Sequence, residues 1–319
     1  MTTALNILLD LRRYPWIWSL LATVAVWIAT VAVTGGQAGG QVLSAALSFA
    51  TFIIIVGLGQ MIVISTGPGN VDLSIPAIIT LSGVVAMKEM DGENTRLLYG
   101  FVCTLGVSAL AGTFNYGLIR FLRIPPIIAT LSSSFLILST AISDGRGIRI
   151  KPPPMLADFA TERVLGVPVL SVAVLGLTLV LALVLARTVY GRSVMAIGQN
   201  PRAAYLAGLN VERTRFITYV LSAVLAGVCG FFLSGFSGGA ALDMGETYLL
   251  SSIAVVVIGG TSVVGGRVSV PGIWGASLFL FLLVNMLNTY QASPGVRLIL
   301  TGLIIIAVIA MAGGQDTAK

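Results

Sequence analysis

The sequence predicts an all-α membrane protein of about ten transmembrane helices, and three observations carry that expectation. Of its 319 residues, 56% are hydrophobic and only 9% charged, against roughly 25% charged in soluble domains. The mean hydropathy is +0.99. Uncharged apolar runs of about 20 residues, long enough to cross a bilayer as helices, recur along the whole chain. No stretch between them has room for a soluble domain, so residues 1–319 read as one transmembrane domain.

The runs follow in order. Trp16–Val33 comes after Arg12 and Arg13 and reads as a signal anchor; no small-residue cleavage pattern follows it, so retention is expected. Gln41–Ser48 reads as an amphipathic approach at the interface before the second span, Leu47–Thr66. Leu73–Met87 is short and contains Pro76, which predicts a broken or tilted helix. Leu97–Ile119, Ile124–Ile142 and Val164–Ala186 come next. The loop Ser143–Arg163 before the last of these carries Pro152-Pro153-Pro154, read as an extended, stiff rim facing an external partner. Beyond Arg187–Arg215 lie Phe216–Phe236, Thr247–Gly266, Val268–Tyr290 and the short Leu298–Ala312.

Basic residues set the orientation, because short cytoplasmic loops are enriched in Lys and Arg. With the N-terminus inside and ten crossings, eleven of the 18 Lys and Arg fall inside, and eight of the 12 acids outside. Both termini and Arg187–Arg215 are thereby assigned to the cytoplasm, and Ser143–Arg163 to the outer side. The net charge of +6 does not signal nucleic acid: there is no basic tail and no basic run interleaved with aromatics. Cys103 and Cys229 lie inside apolar runs as small hydrophobes, with no disulfide framework or metal signature. Histidine is absent, which removes the commonest general base and metal ligand. No GxxxxGK[ST] phosphate loop and no cluster of catalytic residue types occurs, so neither ATP hydrolysis by that loop nor an enzyme is expected.

Two kinds of segment carry function. In Arg187–Arg215, Asn200 suits an N-cap and Pro201 the first helical position. Ala203, Ala204, Leu206 and Ala207 favour helix, and Gly208 fits a left-handed terminator. A short capped helix surrounded by Arg187, Arg192, Arg202, Arg213 and Arg215 reads either as a docking knob or as an ordinary basic cytoplasmic loop. Gly265-Gly266-Arg267 reads as a smaller second contact or a positive-inside turn. Within the spans, Gln60, Asn115, Thr130, Ser134, Asn285 and Asn288 need partners in lipid, so they face other helices or a water-filled path. Such a path, uncharged and rich in hydroxyls and amides, would suit a neutral polyhydroxylated solute. Asp72 is the one acid near membrane depth; with Ser74 it reads as a helix N-cap or as an ion or proton site.

Several stretches resemble one family. They are Asn70-Val71-Asp72-Leu73-Ser74, Ile124-Pro125-Pro126 through Leu131, Tyr190-Gly191-Arg192 through Asn200, Ala203-Ala204, Gly208-Leu209-Asn210-Val211, and Val257 through Arg267. In that order they resemble the permease subunit of carbohydrate-type, ribose-transporter-like ABC importers. Two departures lie near the expected path: Gly67-Pro68-Gly69-Asn70-Val71 replaces a Gly-Gly-Ile, and Asn115-Tyr116-Gly117 replaces an Asn-Gly. The resemblance implies a vitamin-importer-like (type II) ABC permease of the bacterial inner membrane. It implies a second permease copy or paralogue, a cytoplasmic ABC ATPase that carries ATP and Mg, and a periplasmic substrate-binding protein. It also implies that Asn200–Gly208 couples to the ATPase, with no cofactor on this chain. A same-superfamily permease for a nucleoside, branched-chain amino acid or signalling sugar derivative, or an ion-coupled secondary transporter, are the alternative readings.

Overall fold

The computed structural model describes residues 15–33, 39–147 and 150–289, and beyond them 293, 295, 296, 299, 300, 302, 303 and 306. Its helices are α1 (Pro15–Val33), α2 (Gly39–Ser65), α3 (Ile75–Met90), α4 (Leu97–Phe121), α5 (Pro126–Gly145), α6 (Pro154–Thr161), α7 (Val169–Arg187), α8 (Val189–Gln199), α9 (Pro201–Leu206), α10 (Val211–Phe236), α11 (Tyr248–Ile258) and α12 (Val270–Thr289). A two-residue hairpin, β1 (Arg163–Val164) and β2 (Val167–Pro168), leads into α7. Among the described residues six helices are long and apolar enough to cross a membrane, those built on α2, α4, α5, α7, α10 and α12. The chain is therefore a multi-pass helical membrane protein.

α2 is the axis of the molecule. It is buried on every side over most of its length, which its apolar sequence without charge permits. It packs against α10, around which α3 and α4 gather with α5 against them, and against α1, α11 and α12. The first group packs Ile54, Leu58, Ile62, Ile78, Ala111, Ile137, Ala223 and Ala226 into one core. The second packs Val255, Ile258, Phe279, Leu280 and Leu283 against Ile53. Helix α5 presents Ala129, Ser133, Ile137, Ala141 and Gly145, one residue per turn, to this core. Its opposite face, with Ile128, Phe135 and Leu136, is free.

Several expected boundaries move. Gln41–Ser48 is not a separate interfacial segment but part of α2, which runs unbroken from Gly39. Within it Ser48 donates to the Ser44 carbonyl at 3.1 Å, and one turn further on Thr51 shares a bond of 2.8 Å with Ser171 on α7. Pro76 does not break α3; it lies in the first turn, where its missing N–H leaves no partner unpaired. The irregular chain precedes it, in residues 66–74. Thr247–Gly266 is a helix only as far as Ile258, because Gly260 adopts φ +82° and Thr261 N–H closes onto the Val256 carbonyl at 3.1 Å. The sixth span starts at Val169, since the hairpin occupies residues 163–168. The proline run is extended only up to Pro153; Pro154 opens α6. The tenth expected span, Leu298–Ala312, falls mostly outside the described residues; 299, 300, 302, 303 and 306 within it are helical.

Candidate functional site

Helices α8 and α9 form a doubly capped unit between two long apolar helices. Thr188 caps α8, its Oγ1 accepting the Gly191 N–H at 3.3 Å. Asn200 then ends α8 and starts α9 in a single residue: its extended backbone (φ −159°, ψ 101°) breaks the first helix, and its Oδ1 accepts the Ala203 N–H at 3.0 Å. Pro201 is the first residue of α9. At the other end Gly208 takes φ +85°, donates to Tyr205 O at 3.0 Å, and Leu209 N–H reaches back to Ala204 O at 3.1 Å. This double bond satisfies carbonyls that the helix end would leave unpaired. Asn210 immediately caps α10, accepting the Arg213 N–H at 2.9 Å. Asn200, Pro201 and Gly208 thus take the positions expected of them; Thr188 and Asn210 are caps that the sequence reading passed over.

What α9 shows to its surroundings is mixed. Ala204 is buried beneath it, while Arg202, Ala203, Tyr205 (64% exposed) and Leu206 (73%) face outward. Arg192 and Arg267 are also exposed. The base of the unit is a junction with almost no side chains. A Cβ on Gly198 would lie 2.0 Å from the Ser65 carbonyl and 2.2 Å from Gly266 N. Gly266 N–H donates to Ser65 O at 3.0 Å, and Gly265 passes against the Gly67 backbone. Gly265-Gly266 is therefore an internal wedge joining the ends of α2 and α8, rather than a turn exposed in its own right; Val263, Val264 and Arg267 beside it are exposed. Tyr190 ties α8 to α10 through a 3.0 Å bond with Thr218. Burial pushes its hydroxyl up to about 12.

A second polar constellation lies in the interior, where residues 66–74 cross between α2 and α3. Asp72 is wholly buried. Its Oδ1 accepts from Ser74 N–H (3.0 Å) and Ser74 Oγ (2.6 Å), and its Oδ2 from Ser222 Oγ (3.2 Å) on α10. Ser74 Oγ in turn accepts from Asn115 Nδ2 at 2.6 Å, and Asn115 Oδ1 accepts a short bond from Ser133 Oγ. Gln60 Oε1 accepts the Asp72 N–H at 3.3 Å, Thr130 Oγ1 accepts the Leu73 N–H at 3.0 Å, and Tyr219 donates to Asn70 Oδ1 at 3.3 Å. Ser74 makes no side-chain bond to the backbone of α3, so the expected side-chain cap is absent there; the carboxylate closes a turn around Ser74 N–H instead.

Of the residues read as a path, Gln60, Asp72, Ser74, Asn115 and Thr130 come together, but as a closed network with no exposed surface. Ser134 lies apart on α5 and donates to Leu131 O at 2.6 Å. Asn285, partly buried, and Asn288, exposed, belong to α12 on the far side of α2. Asn70, quoted above only within a family stretch, joins the network, and Ser222 and Tyr219, which the sequence did not point to, complete it.

Residues 42–309, a range that contains both constellations, match the family described as "Branched-chain amino acid transport system / permease component". The chain belongs to that permease family. It is a permease component, not the ATP-hydrolysing subunit of a transport system. Among similar proteins, the fructose import permease protein FrcC of Rhizobium meliloti is 32% identical over 308 residues, covering 92% of this chain and 83% of that one. The autoinducer 2 import system permease protein LsrD of Yersinia enterocolitica is 30% identical, with 93% and 92% covered. LsrC of Enterobacter is 29% identical, with 92% and 85% covered. No solved structure matches. For a permease of this family the two constellations divide naturally, one at a surface and one inside the helix bundle.

Proposed function

We propose that the chain is the membrane-spanning subunit of an ATP-driven importer that carries a monosaccharide or related polyhydroxylated solute inward by alternating access. The observation that carries this reading is the exposed, doubly capped α9, rigid at its base and continuous through Asn210 with the buried α10. A helix held this firmly and exposing Arg202, Tyr205 and Leu206 suits a groove on a partner ATPase that supplies ATP and Mg. The names of the relatives, which import fructose and autoinducer 2, support the solute class.

In this reading the protein lies in a bacterial inner membrane with about ten crossings, a type II permease architecture and both termini in the cytoplasm. Residues 187–215 form the cytoplasmic coupling loop, with Gly191, Arg192 and Arg267 beside α9, and residues 143–163 form the periplasmic loop, which meets a substrate-binding protein. Residues 1–319 act as one domain, paired with a second permease copy or paralogue. The free face of α5 bears Ser132, Ser139 and Thr140 between apolar side chains. Ser134 and Thr140 donate to carbonyls of their own helix, but a hydroxyl keeps acceptor capacity that lipid cannot fill; on this reading the face, with Ser134 at its margin, lines the path against the second copy. The buried network around Asp72 holds that helix in place. A fully bonded carboxylate also suits structure better than ion coupling.

Arg202→Glu tests the docking. It should leave membrane insertion unchanged, abolish co-purification of the ATPase and uncouple hydrolysis from uptake. Retention of both ATPase binding and coupled hydrolysis would refute the docking role. The family description also names branched-chain amino acids, so labelled leucine belongs beside labelled fructose in any uptake assay.

A further inference from the structure

We propose that Asp72 is the hub of a hydrogen-bonded relay that makes α10, α4 and α5 move as one body. A displacement delivered by α9 to the start of α10 would then reach the free face of α5. The proposal rests on the coupling reading above and deepens it.

The mechanical input is short. Only Ala207–Asn210 lies between α9 and α10, and both helix ends are closed by backbone or Asn210 bonds, leaving little slack. In its first turn α10 is gripped by α4: Tyr116 donates to Glu212 Oε2 at 2.6 Å, and Arg120 Nε lies 3.0 Å from the same oxygen. Ten residues further, about 15 Å along the helix, Ser222 makes the second grip by donating to Asp72. One tie is direct and the other runs through Asp72 and Ser74 to Asn115 on α4; at that separation they fix the axis of α10 relative to α4 in both position and direction.

From Asp72 the chain of bonds continues without a gap. Its two carboxylate oxygens serve opposite sides: Oδ2 faces Ser222 on α10, and Oδ1 faces Ser74, behind which come Asn115 on α4 and Ser133 on α5. All five side chains are at most 1% exposed. In a bundle surrounded by lipid, a group that lets go of its partner finds no water to replace it, so these bonds resist sliding in a way that apolar helix contacts do not. The other group of helices meets the buried middle of α2 through Ile53, Val255, Ile258, Phe279 and Leu280, an apolar seam, while Trp27 on α1 donates to the Gly39 carbonyl at 3.1 Å at the very start of α2. A moving body made of α10, α4 and α5 against a reference body that includes α1 is what this contrast assigns. Coupling between distant sites needs an element with two arrangements that both sites bias; here it is the whole latched body.

The test uses the full chain assembled with its ATPase in nanodiscs, with one spin-labelled copy per transporter. In a Cys103→Ser background, labels go at Leu21→Cys on α1 and either Arg213→Cys on α10 or Phe135→Cys on α5. Both distances are measured without nucleotide and after trapping with ATP and vanadate. In the parent both distances should shift. In Ser222→Ala and in Ser133→Ala, each missing one hydroxyl at one end of the relay, the Leu21–Arg213 shift should persist and the Leu21–Phe135 shift should be lost. Variants that keep both shifts, or that lose both, overturn the relay, as does a parent in which only α10 moves. A parent with no shift at Arg213 refutes the coupling reading itself and takes the relay with it.

Discussion

Gly198→Ala places one methyl group where the structure has no room for it. The new Cβ would lie 2.0 Å from the Ser65 carbonyl oxygen and 2.2 Å from Gly266 N, both backbone atoms that cannot rotate away. Restoring ordinary contact, about 3.4 Å, requires the ends of α2 and α8 to part by about 1.4 Å, in an interior with the density of a crystal. Overpacking of this kind costs about 1–3 kcal/mol, and the Gly266–Ser65 bond stretches with it. If the strain is relieved by displacing α9, the docking geometry shifts by the same energy, roughly 5- to 150-fold in ATPase affinity. The assay is thermal unfolding in nanodiscs together with titration of the ATPase. Two controls separate space from backbone strain. Gly106→Ala, on α4 with nothing within 4 Å, should be neutral or slightly stabilising. Gly208→Ala also meets nothing, but its φ of +85° should cost about 1 kcal/mol. If Gly198→Ala behaves like Gly106→Ala in both measurements, the junction does not hold α9 in the way described.

Asn200→Ala removes the cap of α9 and should weaken ATPase binding by about 0.5–2 kcal/mol, with Asn200→Asp retaining most of it; titration calorimetry reads the difference. Asn115→Leu keeps volume but strips the buried bonds to Ser74 and Ser133 and should destabilise by about 1–3 kcal/mol, seen as a lower unfolding midpoint. Leu165 stands 99% exposed at the hairpin tip with φ +52°. Leu165→Asn should relieve about 1 kcal/mol of left-handed strain and leave or raise the same midpoint.

Helix α9 was legible because capping is a local code: Asn200, Pro201 and Gly208 each declare their backbone conformation within a turn of where it is used. Even so, α9 stops at Leu206, since the closing bonds from Gly208 and Leu209 reach back past the last helical residues. The interior network was legible only as polar residues in want of partners. Asp72 and Ser74 are neighbours and invited a local capping role. The bonds that define their place run to Asn115, 41 residues from Ser74, and to Ser222, 150 residues from Asp72. No periodicity encodes such pairings in a bundle whose central helices are buried all round. Thr247–Gly266 misled in the opposite sense: read as one span, it is helical only to Ile258, and Gly259 and Gly260 end α11.

On the proposed function this permease moves a sugar only when a separate ATPase drives it. The most direct test is uptake of labelled fructose into proteoliposomes holding the chain with its ATPase and binding protein. Accumulation should require both ATP and the binding protein and be lost in Arg202→Glu. Accumulation of labelled leucine but not fructose, or fructose uptake that persists without ATP and collapses with the ion gradient, would contradict it.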